Sequence, residues 1–210
     1  MQVAFQSNPA DFLKRCGSYL AQSEVEHNLI LSLCQSAEKK LQRGEKVDIR
    51  FSALFDNDDF VCAAVQTPPH NLVLSKSSGL EIEKLAETLA SNQFRFPGIV
   101  GPSDVSGAFA NKWLQLTGQR SIEYMDQIIY VLRRALFPPS IAGELRLARP
   151  EEAKIISEWI AAFAKDALPK AALDGYGSSQ KSGRDDQSGA HFRLVGAGAA
   201  CRAGQRFRHG

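Results

Sequence analysis

Apolar side chains recur at three- and four-residue steps through Phe12, Leu13, Cys16, Tyr19 and Leu20, the period of a helix with one face turned inward. Asn8 and Pro9 stand where such a helix should begin, because Asn caps free N–H groups and the fixed φ of proline suits the first turn. A second helix is predicted from about Glu24 to Leu41, with Leu29, Ile30, Leu33 and Cys34 inward and Gly44 to stop it. The period then falls to two. Val47, Ile49, Phe51, Ala53 and Phe55 alternate with Asp48, Arg50, Ser52 and Leu54, as a half-buried strand does. A polar turn over Asp56, Asn57, Asp58 and Asp59 leads to a second strand from Phe60 to Gln66, so the two predict a hairpin.

Asn71 to Ser75 reads as a third strand after the Pro68–Pro69 break, and Leu80 to Ala90 as an amphipathic helix. Ile99 and Val100 make a short strand between Pro97–Gly98 and Gly101–Pro102. A helix follows through Val105, Phe109, Trp113 and Leu116 to Gly118, and Ile122 to Ala135 reads as a long strand. These elements predict a mixed α/β domain over residues 1–136, then a linker over 137–142. A second unit over 143–168 is predicted to hold a strand (Leu145, Leu147, Ala148) and a helix bearing Ile155, Ile156, Trp159, Ile160 and Phe163. Past Pro169 neither period persists. Half of the 16 glycines fall after Asp174, so residues 169–210 are expected to lack structure, having too little apolar surface to offset chain entropy. The abrupt change near Leu168 also suggests an altered reading frame.

Charge adds one point. Residues 169–210 hold seven Lys or Arg against three Asp, a balance of +4, while the rest holds 18 basic and 20 acidic residues, −2. A basic tail rich in Gly and Arg resembles a weak RGG-like segment, but it lacks an aromatic platform, so nucleic acid is not expected as a partner. No apolar run is long enough to span a bilayer, and Met1 to Gln6 shows no signal-peptide pattern; a cytoplasmic location is expected.

Candidate chemistry is sparse. Cys16, Cys34, Cys62 and Cys201 stand far apart, without the C-x-x-C spacing of a zinc site, and the first three are expected to pack as small apolar groups. His27, His70, His191 and His209 are isolated; His27 is expected at the surface or a boundary, and His70 in a turn. The Asp56–Asp59 run lacks the terminal Glu of a calcium loop, so no metal site is expected. Glu123, Tyr124 and Tyr130 are residue types that serve as general acids or bases, yet on a strand they read as packing residues.

Two segments carry a resemblance. Phe96-Pro97-Gly98-Ile99-Val100-Gly101-Pro102, followed by Val105, Ala108, Phe109, Trp113, Thr117 and Gly118, resembles the first half of two-domain bacterial acetyltransferases of the GNAT type. Pro138-Pro139, then Gly143 to Ala148, Glu151, Glu152 and Trp159 to Phe163, resembles the first strand and helix of the catalytic half. The resemblance covers roughly residues 1–168. It implies a mixed, mostly antiparallel GNAT-like sheet flanked by helices, with acetyl-CoA as cofactor and a small-molecule or protein amine as acceptor. Members of this family cradle the coenzyme pyrophosphate on a Q/R-x-x-G-x-G/A loop at a helix start.

Arg193, Gly196 and Gly198 fit that spacing, but no convincing strand precedes them and 12 residues follow. They are expected to be a chance match, and the chain to bind no acetyl-CoA. Nor do Gly196 and Gly198 make a dinucleotide fingerprint, which needs a third glycine and a β–α–β setting. The functional expectation is therefore a truncated acetyl-CoA-dependent N-acetyltransferase with no assignable catalytic residue, inactive as this chain. The alternative is a non-catalytic binding module, or a dimerisation module forming a homodimer.

Overall fold

A computed structural model describes residues 1–136, 143–144 and 146–167, and the backbone of 191–198. The chain is α/β, with a mixed sheet, as its periodicities imply. It divides into two compact units, Met1–Val131 with Ser188–Gly210, and Leu132–Gln187.

Among the described residues the first unit has seven strands: β1 (Gln2–Gln6), β2 (Arg50–Asp56), β3 (Asp59–Gln66), β4 (Leu72–Leu74), β5 (Gly98–Pro102), β6 (Arg120–Ile128) and β7 (His191–Gly198). They lie in the order β1-β2-β3-β4-β5-β7-β6. The pairs from β1 to β4 are antiparallel, whereas β4–β5, β5–β7 and β7–β6 are parallel. Helices α1 (Pro9–Gln22) and α2 (Asn28–Gln42) cover one face, and α3 (Gly79–Ser91) and α4 (Ser103–Thr117) cover the other.

Alternation along β2 shows how one strand serves both layers. Phe51, Ala53 and Phe55 pack with Phe12, Cys16 and Leu20 of α1 and Ile30 and Cys34 of α2. Leu54, on the opposite face, packs with Ile82, Leu85 and Leu89 of α3 and Phe109 and Trp113 of α4. The expectation of a half-buried strand is corrected here: Leu54 is fully buried and Ser52 is 1% exposed. Each large apolar side chain buried in this way stabilises the fold by about 1.5–3 kcal/mol.

Local signals explain most boundaries. Asn8 Oδ1 accepts from Ala10 N at 2.8 Å, capping α1 as its position suggested. The hairpin turn holds Asn57 at φ 54°, a conformation Asn tolerates. α2 begins at Asn28 rather than Glu24, because residues 23–27 form a turn that closes the end of α1: His27 N donates to Ser23 O at 3.0 Å, and the His27 ring bonds Leu20 O. β6 starts at Arg120 and ends at Ile128, where its pairing with Gly198 of β7 ends; Tyr130 and Leu132 beyond it are exposed.

Two strands lie outside the periodic patterns read from the sequence. β1 pairs with β2 from Gln2↔Phe55 to Gln6↔Phe51, although five residues ending in glutamines give little periodic signal. The segment 169–210, expected to lack structure, includes β7. Between β5 and β6 an extended segment gains a hydrogen-bond ladder on each side, which compensates for weak side-chain patterning. The rest of that segment lies outside the described residues, as do the linker 137–142 and Leu145.

In the second unit a 3₁₀ turn (Pro150–Glu152) leads into α5 (Ala153–Ala167). Residues 146–149 form no strand. Their polar groups turn to Glu152 instead: Arg146 donates to both its carboxylate oxygens, at 2.8 and 2.6 Å, and Arg149 N donates at 2.8 Å. These bonds hold the Glu152 carboxyl down at a pKa of about 2. Along α5, Trp159 is 65% and Phe163 71% exposed.

Candidate functional site

In open α/β sheets ligands bind beyond the carboxyl ends of parallel strands. Here those ends frame a cleft of about 150 Å³. Val73 and Leu74 of β4 and Val100, Gly101 and Pro102 of β5 line it, together with Glu26, Asn28 and Leu29 at the start of α2 and Gln127 and Ile129 at the end of β6. The pairing of β4 with β5 ends at Val73↔Val100. One residue further, a side chain at Gly101 would put its Cβ 2.9 Å from Leu74 Cβ and 3.2 Å from Leu74 O, so glycine is what lets the two strand ends approach.

The helix starts above this edge are poor sites for a phosphate. Glu81 Oε2 accepts from Ser78 N at 2.8 Å, so the beginning of α3 is closed by its own carboxylate. α4 has no side-chain cap, but it carries Asp104 in its first turn. A helix start favours an anion through its free N–H groups and dipole. A carboxylate already there offsets that preference.

Arg193, Gly196 and Gly198 lie inside β7, not on a loop before a helix. Arg193 is opposite Gly98 and Ile122, Gly196 opposite Gly101 and Asp126, and Gly198 opposite Ile128. Backbone groups at Arg193 and Gly196 are committed to ladders on both sides, so these residues do not fit a pyrophosphate cradle.

His27 is where sequence reasoning missed most. It is 1% exposed, not a surface residue. Lys76 N donates to Nε2 at 3.0 Å, which leaves the ring proton on Nδ1, and Nδ1 donates to Leu20 O at 3.0 Å. Burial lowers its pKa, partly offset by the Leu20 bond and by Glu26, while Lys76 lowers it further. The sequence offered one clue, a histidine ahead of an apolar periodic run, but its two partners lie in distant segments.

The other candidates do not converge. Cys16, Cys34 and Cys62 are buried, and desolvation pushes each thiol up to about 12, which keeps it protonated and poorly nucleophilic; Cys201 lies outside the described residues. His70 sits in a turn, donating its N–H to Thr67 O at 3.0 Å. The side chain of His191 and all of His209 lie outside the described residues. Glu123, Tyr124 and Tyr130 do not line the cleft, which takes Gln127 and Ile129 from that part of the chain. Among the described residues no cluster of His, Cys, Asp and Glu could hold a metal ion, and no helix is long and apolar enough to cross a membrane.

Comparison with protein-family models, curated proteins and solved structures found no match.

Proposed function

We propose that this chain is of the GNAT type, related to enzymes that carry acetyl from acetyl-CoA to an amine, and that it transfers no acetyl group itself. The observation that carries this reading is the run Phe96–Pro102. After three antiparallel pairings it supplies β5, parallel to β4, and hands directly to α4, the segment with the remaining residues of the resemblance. The exposed Trp159 and Phe163 of α5 support it too, being on a helix that a catalytic half would lay against its own sheet. Inactivity rests on the commitment of Arg193 and Gly196 to β7 and on the carboxylates at the starts of α3 and α4. Residues 1–136 are then a non-catalytic binding or dimerisation module.

Thermal denaturation with acetyl-CoA tests the inactivity. A site with a Kd of about 10 µM would stabilise the protein by about 2.7 kcal/mol at about 1 mM ligand. No shift in Tm is expected, and a saturable rise would overturn this part of the reading. The altered reading frame is tested separately by translating the DNA beyond the codon for Leu168 in the other two frames. One should yield alternating strands and a Q/R-x-x-G-x-G/A loop; if neither does, the idea of a shifted frame is wrong.

A further inference from the structure

The cleft has one wall that is not part of the sheet. Glu26 comes from the α1–α2 turn and Asn28 and Leu29 from the first turn of α2 that follows it, with His27 between them in sequence. His27 bonds back to α1 through Leu20 O and across to the segment after β4 through Lys76 N, a residue 49 positions away. That segment is independently fixed to the sheet: Ser75 N donates to Ala63 O at 2.9 Å, and Ala63 N donates to Ser75 Oγ at 2.8 Å. The loop is therefore an anchor and the turn over 23–27 is what His27 holds to it. A second link, Lys76 Nζ to Glu26 Oε1 at 3.7 Å, is at the surface and weak.

We propose that His27 is an acid-sensitive clasp that holds the α1–α2 turn against the sheet, so that protonation of its ring frees Glu26, Asn28 and Leu29 and opens the cleft. The proposal is independent of the acetyltransferase reading. Its chemistry follows from the tautomer. Nε2 is the acceptor for Lys76 N, and a proton added there sets two donors face to face at 3.0 Å. The Lys76 N–H then loses its acceptor, and a part-buried donor set against a second donor destabilises the closed arrangement. Three titratable groups face the ring. Lys76 opposes the new charge and Glu26 favours it. Tyr19 of α1 lies beside the imidazole, with ring centroids 5.9 Å apart, and its hydroxyl donates to Lys76 O at 3.4 Å. Burial holds the ring neutral above its lowered titration point, which is what gives the clasp a closed state near neutral pH.

The test is amide hydrogen exchange on the full chain from pH 7.5 to 4.5, expressed as protection relative to the unstructured rate. As pH falls from the ordinary histidine range towards the ring's lowered titration point, the protection of Lys76 N–H should fall by up to about tenfold per pH unit and then level off, while amides of the β2–β3 ladder keep theirs. In His27→Gln, whose amide oxygen can accept from Lys76 N without titrating, the protection of the Lys76 amide should lose its pH dependence. A flat profile at Lys76 in the wild-type protein overturns the proposal. So does a loss shared equally by the β2–β3 ladder, which would mean that the whole unit opens. Persistence of the pH dependence in His27→Gln would assign it to another group and overturn the proposal as well.

Discussion

Adding one methyl group at Gly101 and another at Gly107 should move stability in opposite directions. At Gly101 the new Cβ would stand 2.9 Å from Leu74 Cβ and 3.1 Å from Ser106 Oγ. Carbon atoms rest about 3.5–4.0 Å apart, so the first contact is too close by at least about half an ångström. The neighbour is fixed as well, since Leu74 is in β4 and its carbonyl lies 3.2 Å away. Overpacking of this kind costs about 1–3 kcal/mol. Loss of unfolded-chain freedom returns about 0.4–1 kcal/mol. The net for Gly101→Ala is a destabilisation of about 1–2 kcal/mol, or a fall in Tm of roughly 2–8 °C for a chain of this size. At Gly107, in the middle of α4, no neighbouring atom lies within 4 Å of the place the methyl would take. Gly107→Ala should therefore stabilise by about 0.5–1 kcal/mol through helix propensity alone. Urea titration of both variants, with m values to verify two-state unfolding, measures the difference. If the two substitutions shift the midpoint in the same direction, the account of strand approach at Gly101 is wrong.

Three further outcomes follow from the packing and electrostatics. Phe12→Ala removes a fully buried ring stacked 4.3 Å from that of Phe51, and should cost about 3–5 kcal/mol by urea titration. Cys16, Cys34 and Cys62 should resist iodoacetamide at pH 8 in the native protein, where a pKa of about 12 leaves roughly one thiol in ten thousand ionised, and react fully in denaturant; peptide mapping reads both states. The lowered carboxyl of Glu152 contributes stability to the second unit that is complete above its ordinary 4.5 and lost as pH falls through about 2. Glu152→Gln should abolish that acid dependence while its amide oxygen still accepts from Arg149 N, both visible by NMR.

Legibility in the sequence followed the range of the forces involved. The start of α1 at Asn8–Pro9 and the end of α4 at Gly118 rest on bonds within a few residues, so local chemistry revealed them. β1 and β7 owe their existence to partners far along the chain, and their own patterns are too short to announce them. Burial on both faces of β2 was hidden because Ser52 broke the apolar run, and a serine with its hydroxyl in the core looks in sequence like one in water. The cleft was illegible for a related reason. Glu26, Gly101 and Gln127 meet only through the order of strands in the sheet, which no motif encodes. His27 was misread because its burial depends on a backbone N–H, at Lys76, that any residue type could supply.

Strands β2 and β3 also shape what happens when the fold is lost. Phe51 to Phe55 and Phe60 to Val65 are rich in apolar side chains because each strand is covered on both faces, and that composition makes them adhesive once uncovered. Arg50 precedes the first stretch, and Asp56, Asp58 and Asp59 separate the two. These charges contribute little to the folded core, yet their repulsion discourages stacking of neighbouring unfolded chains. Neutralising the aspartates would leave the native sheet largely as it is while making recovery from heat or acid far less complete.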